Sequence, residues 1–129
     1  MSALELPPVT AEEFSVSASL DDKNITVRFS GNADMRTKSA LDALLLKVHA
    51  EAQRLAAEKV VIDFKSLEFM NSSCFKSFVS WISEVRDLDA KKQYRIHFLS
   101  KPELLWQRRS LHALRCFAVD LISIEGLAA

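Results

Sequence analysis

The residues from Asn71 to Cys74 have the types and spacing that chemistry would need. Asn71, Ser72 and Ser73 follow an apolar run and precede an amphipathic pattern, so they fall where a helix begins. Such side chains satisfy the free backbone N–H groups of a first helical turn. The same place is the positive end of the helix dipole, where a phosphate carried on a serine hydroxyl is favoured. A strand-to-helix junction also presents that hydroxyl at the C-terminal edge of the strand, where ligands meet open α/β sheets. Residue types leave both readings open: a helix cap, or a chemical site.

Cys74 is the best enzymatic candidate, because a helix N-terminus depresses a thiol pKa. Arg36 or Lys76 would supply charge, but no neighbouring His offers a base. Packing is therefore the preferred reading of Cys74. His49, His97 and His112 are scattered, and none joins a Cys or carboxylate at metal-ligand spacing. The sequence has no GxGxxG, no Walker-type loop and no GxSxG elbow. With Gly31 and Gly126 its only glycines, it has little room for a phosphate-cradling loop. The expectation is a protein that is not an enzyme and needs no cofactor. "WQRRSLHALR", Trp106 to Arg115, is a possible binding face, although a solvated helix with Trp106 packed on a sheet is the simpler reading.

Lys and Arg together equal Asp and Glu, for a formal net charge of zero. That argues against general nucleic-acid binding, which leaves a basic footprint. No apolar run approaches a membrane span. The first residues lack the basic and apolar regions of a secretory signal, so a cytoplasmic protein with two reduced thiols is expected. Protein partners are expected, and the oligomeric state is left open.

These residues need a framework. Residues 1–11, with Pro7 and Pro8, read as a flexible arm, and residues 12–129 as one domain. Phe14 to Leu20 and Ile25 to Phe29 alternate apolar with polar residues around the turn "DDKN", predicting an antiparallel hairpin that Gly31 ends. Leu41, Leu44, Leu45, Val48, Ala52 and Leu55 mark a helix capped by Thr37. "KVVIDF", Lys59 to Phe64, is nearly all apolar, as for a central strand covered on both faces. Phe75, Phe78, Val79, Ile82 and Val85 mark a second helix. Tyr94, Ile96 and Phe98 mark a strand. Ser100 with Glu103 fits a capping box that opens a third helix, with Pro102 in its first turn, and "VDLISIE" closes the chain as a strand. The order β-β-α-β-α-β-α-β predicts an α/β domain with a mixed, largely parallel sheet.

With these elements in place, the chain resembles the STAS domain, as in bacterial anti-sigma factor antagonists. "VRFSGNAD", Val27 to Asp34, is similar to that family's strand and Gly-x-x-Asp turn. "VVIDFKSLEFMNSSCF", Val60 to Phe75, is similar to its central strand, loop and Asp-Ser-Ser-Gly helix start. "HFLSKPELLWQRRSLHAL" fits its fourth strand and third helix more loosely. In antagonists of this family, the serine before the glycine is phosphorylated by a partner kinase that doubles as the anti-sigma factor. The unmodified antagonist binds that partner, and the phosphorylated form lets go. Carried over by position, that serine is Ser73, with Asn71 in place of the family's Asp and Cys74 in place of its Gly. The resemblance implies a STAS-like fold and a regulatory module with an anti-sigma factor or serine kinase as partner. Asp34, Asn71, Ser72, Cys74 and Lys76 would line the partner surface near the switch. The alternative is an unphosphorylated STAS-like adaptor in a signalling complex or transporter.

Overall fold

A computed structural model describes residues 9–11, 13–101 and 103–125. The elements are β1 (Val9–Ala11), β2 (Phe14–Asp21), β3 (Asn24–Ala33), α1 (Lys38–Arg54), β4 (Lys59–Met70), α2 (Ser72–Arg86), β5 (Arg95–Leu99), α3 (Leu105–Phe117) and β6 (Ile122–Glu125). They form one sheet whose strands lie side by side in chain order. The β1–β2 and β2–β3 pairs are antiparallel, and the pairs from β3 to β6 are parallel.

From β2 onward the order is the one expected from periodicity. The arm was expected to run to Ala11, but Val9–Ala11 pair with Phe14–Val16 as an edge strand. The rest of the expected arm lies outside the described residues. The β2–β3 turn is two residues long, with Asp22 at φ 58°. β3 does not stop at Gly31. It runs on to Ala33 through two register shifts against β4. Gly31 sits there at φ 91°, and a Cβ on it would lie 1.9 Å from the carbonyl oxygen of Glu13. Asn32 N–H donates to that same oxygen at 2.6 Å. Only a glycine lets the two backbones approach so closely.

Each of the three parallel crossovers carries one helix and steps one strand in the same direction. Right-handed crossovers then place all three helices on one face. Burial follows: Ile25, Val27, Phe29, Val60, Ile62, Phe64, Ile96 and Phe98 are buried, while the alternating Arg28 is exposed and Val61, Asp63 and His97 are half-buried. β4 is therefore covered on one face, not two, and its apolar Val61 lies on the open side. Phe29, Phe64 and Phe78 meet edge to face with centroids 5.4–5.7 Å apart, locking α2 onto β3 and β4. Trp81 Nε1–H donates to the Tyr94 hydroxyl at 2.8 Å, and that hydroxyl also meets His49 Nδ1 at 2.7 Å. Burial raises the pKa of Tyr94. The phenol thus stays neutral between its two partners.

The start of α3 differs from expectation. Ser100 does not cap it: its hydroxyl donates to the Glu125 carbonyl at 2.9 Å, tying the end of β5 to β6. The helix begins at Leu105 without a side-chain cap. Gln107, fully buried, supplies order instead. Its Nε2 donates to the carbonyls of Phe64 and Leu67 at 2.7 and 2.8 Å, and its Oε1 accepts from Lys101 N–H at 2.8 Å. A polar side chain this deep in the domain is tolerated because its amide is paired.

Candidate switch site at the start of α2

β3 and β4 are parallel, so their C-terminal ends, Ala33 and Met70, lie together at one edge of the sheet. The loop after Ala33 and the first turn of α2 after Met70 therefore meet. Asn71 is the N-cap of α2, with extended backbone, and its Oδ1 accepts from Cys74 N–H at 2.9 Å. Its own N–H donates to the Ala33 carbonyl at 2.9 Å, binding the cap to β3. The expected capping role of Asn71 is thus present in the geometry.

Ser72 is exposed and Ser73 half-buried in the first turn. The Ser73 carbonyl accepts from the Ser77 hydroxyl at 3.4 Å, whereas the Ser73 hydroxyl has no hydrogen-bond partner among the described residues. The first turn of α2 holds no acidic residue to repel an anion.

Cys74 is packed, the reading preferred for its thiol, and so does not reach the partner surface where the resemblance would put it. It is fully buried, and its thiol donates to the Asp34 carbonyl at 3.4 Å. Burial pushes the thiol pKa up, so it stays protonated. A buried, protonated thiol is a poor nucleophile. Its backbone is ordinary helix, so a side chain at this position causes no conformational conflict.

The Asp34 carbonyl also accepts from the backbone N–H of Thr37 at 3.0 Å and from its hydroxyl at 2.9 Å. Thr37 precedes α1 as expected, but its hydroxyl turns back to Asp34 and does not cap the helix. Arg36 clamps the Asp34 carboxylate, with Nη2 at 2.8 Å and Nε at 3.2 Å from Oδ2. Those hydrogen bonds hold the Asp34 pKa down. Lys76 is exposed one turn beyond Ser72. Of the residues expected near the switch, Asp34, Asn71, Ser72, Ser73 and Lys76 are together at this edge with side chains at least partly accessible.

Two features were not anticipated. Behind the first turn of α2, Ser77 hydrogen-bonds to Asp42, and Lys38 Nζ reaches Asp42 Oδ2 at 2.9 Å and Ser77 Oγ at 3.1 Å. The Ser77 bond and then Lys38 lower the Asp42 pKa. Only the i, i+4 spacing of Lys38 and Asp42 announced this cluster. In front, Met35, Phe69 and Leu105 are large exposed apolar residues. Phe69 pairs in register with Asn32, Met35 follows the end of β3, and Trp106 Nε1–H, next to Leu105, donates to the Glu68 carbonyl at 2.7 Å. Met35 and Phe69 therefore stand at the strand ends that lead into the edge carrying Ser73, and Leu105 lies at the start of α3 that is fastened to the end of β4. Loop and strand-end positions have no periodicity by which to find them.

Among the described residues no group of three or more His, Cys, Asp or Glu is placed to hold a metal. No described helix is long and apolar enough to cross a membrane. No protein-family model matches the sequence, and no curated protein is similar to it in sequence. Solved structures are similar in fold. An anti-sigma factor antagonist from Mycobacterium paratuberculosis superposes with a TM-score of 0.67 at 18% identity, covering 92% of each chain. The anti-sigma factor antagonist SpoIIAA in its unphosphorylated form superposes with a TM-score of 0.60 at 14% identity, over 84% of this chain and 86% of that one. The likeness is one of backbone, and it gives this chain the STAS-like α/β fold of anti-sigma factor antagonists.

Proposed function

We propose that this protein is a non-enzymatic regulatory module that binds a protein partner, with phosphorylation of Ser73 by a partner serine kinase releasing it. The observation that carries the reading is the Ser73 hydroxyl, without a hydrogen-bond partner among the described residues, in a capped first turn beside strand ends that carry the exposed apolar Met35 and Phe69. The fold neighbours are described as anti-sigma factor antagonists, one of them in an unphosphorylated form, and the same partner class, an anti-sigma factor or kinase, is proposed here.

The physical logic is an opposition between helix and interface. A phosphate on Ser73 adds about 1.5–2 negative charges at neutral pH. At the N-terminus of α2 it meets free N–H groups and the dipole, so the helix tolerates it. In a docked complex the same charge would be desolvated against the partner, at a cost of several kcal/mol unless it is paired. Binding is lost without unfolding the switch.

A second reading has its own support. Asn71 and Cys74 act structurally, one as a neutral cap and the other as a packed thiol, and neither offers a carboxylate beside Ser73. That arrangement suits a constitutive adaptor in a signalling complex or transporter.

One set of variants separates the two. The wild type is incubated with ATP and a lysate of its source organism, then mapped by tandem mass spectrometry. The switch reading expects one phosphate on Ser73, and none on Ser73→Ala. In partner pull-downs from the same lysate, Ser73→Ala retains the partner and Ser73→Glu loses it. Equal capture by both variants, with Ser73 unmodified while other substrates are phosphorylated, would refute the switch and favour the adaptor.

A further inference from the structure

The exposed face of α3 concentrates positive charge on a chain that is neutral as a whole. Arg108, Arg109, His112 and Arg115 are exposed at positions i, i+1, i+4 and i+7. The helix contains no Asp or Glu from Leu105 to Phe117. No carboxylate lies within ion-pair distance of these arginines among the described residues. Arg86, from α2, meets the C-terminal end of α3 at Phe117 and not on the arginine face. Its guanidinium stacks 4.3 Å over the Phe117 ring and donates to the Phe117 carbonyl at 3.1 Å.

The opposite face of α3 is already committed. Gln107, Leu111 and Leu114 are buried, and Trp106 and Phe117 pack against the core. The helix has no free apolar face to sink into a bilayer, so its cationic side must act from the surface. Leu105 and Val119 are exposed at its two ends, 55% and 64% accessible. The helix is 13 residues long, or about 20 Å. Exposed Glu103 and Asp120 stand just beyond the ends and close off the row.

We infer that this face docks an acidic protein segment, an acidic helix or strand about 20 Å long with an apolar residue near each end. Arginine forks match carboxylates with two parallel hydrogen bonds. The flanking carboxylates of Glu103 and Asp120 oppose a polyphosphate chain running past either end, and the exposed Leu105 and Val119 favour a protein occupant. The surface is held rigidly, because Trp106 and Gln107 fasten the start of α3 to the carbonyls of β4. It goes beyond the Ser73 reading and does not depend on any modification of that serine.

The test uses the unmodified chain and a fluorescein-labelled, Glu-rich helical peptide of about four turns with a Leu near each end, followed by fluorescence anisotropy. Binding is expected at low salt and weakens as salt rises. The triple substitution Arg108→Glu/Arg109→Glu/Arg115→Glu is expected to reduce association about tenfold or more. The matching Arg→Gln triple should weaken it less, in the same direction, and gives the reading if the first variant fails to fold. Lys91→Glu/Lys92→Glu, a basic pair in the α2–β5 turn, should change nothing. The inference is overturned if the peptide does not bind, if the Lys pair matters as much as the arginines, or if phosphatidylserine vesicles or single-stranded RNA bind the arginine face more tightly than the peptide.

Discussion

Replacing the cap of α2 tests whether the switch turn is held as described. In Asn71→Ala the Oδ1 acceptor of Cys74 N–H, now at 2.9 Å, disappears. Loss of an N-cap typically costs about 1 kcal/mol. Here the orphaned amide belongs to a residue with no exposed surface, so water cannot replace the lost bond. The cost rises toward about 2 kcal/mol, the upper part of the range for caps and unsatisfied donors. For a domain of 129 residues, at roughly 4 °C per kcal/mol, the melting temperature should fall about 8 °C. Asn71→Asp keeps the acceptor and adds a charge at the positive end of the dipole, a gain of about 0.3–1 kcal/mol at neutral pH. Cap and dipole depress the folded pKa of the introduced carboxyl. Its extra stability is therefore present above the unfolded value near pH 4, about the ordinary Asp pKa, and is lost as pH falls through the folded value. Thermal melts at neutral and acid pH, followed by circular dichroism, read both variants. An Asn71→Ala melt within about 1 °C of wild type, far inside the shift expected from a lost cap, would refute the capped-turn geometry. So would an Asn71→Asp gain that persists unchanged at low pH.

Three other outcomes follow from the geometry. Gly31→Ala forces a Cβ to within 1.9 Å of the Glu13 carbonyl at positive φ, so it should destabilise by about 2 kcal/mol or more, seen as a large fall in the urea midpoint. Asp42→Asn should lower the melting temperature at pH 7 by weakening the Lys38–Ser77 cluster; since Asp42 has its pKa lowered on folding, the gap to wild type should close as pH falls below about 4. Native iodoacetamide should label exposed Cys116 and spare buried Cys74, and both should react after denaturation.

Periodicity carried the helices and most strands, because burial of one face imposes it directly. Leu41, Leu44, Leu45, Val48 and Ala52, and Phe78, Ile82 and Val85, are buried at the expected spacings, with Leu55, Phe75 and Val79 half-buried beside them. The failures lie where a non-periodic contact decides. "KVVIDF" is nearly all apolar, yet only alternate residues are covered, because sequential right-handed crossovers put every helix on one side. Ser100 and Glu103 have the spacing of a capping box, but Gln107, 43 residues from Phe64 in sequence, ties down the start of α3 by tertiary hydrogen bonds. The turn at Asn71 was legible because cap chemistry is local. The packing of Cys74 was legible too, from its residue type, but its partner was not, since the Asp34 carbonyl arrives from 40 residues away.

The inward direction of Cys74 bears on the proposed switch. A glycine at position 74 would leave the outer surface of the first turn as it is, because the Cys74 side chain occupies the space between α2 and the Asp34–Thr37 loop. Cys74→Gly should then act on stability and not on partner contact. It removes a fully buried side chain and places a glycine in a helix, at a combined cost of about 2 kcal/mol. Ser73→Glu should do the reverse, leaving the melting temperature level or slightly raised through the dipole while reducing partner capture. Measuring both quantities on both variants separates the turn's structural role from its proposed regulatory one. If Cys74→Gly abolished capture while the domain remained folded at the assay temperature, the partner surface would have to include the cleft beneath the first turn, and the assignment of the outer edge around Ser73, Met35 and Phe69 would be wrong.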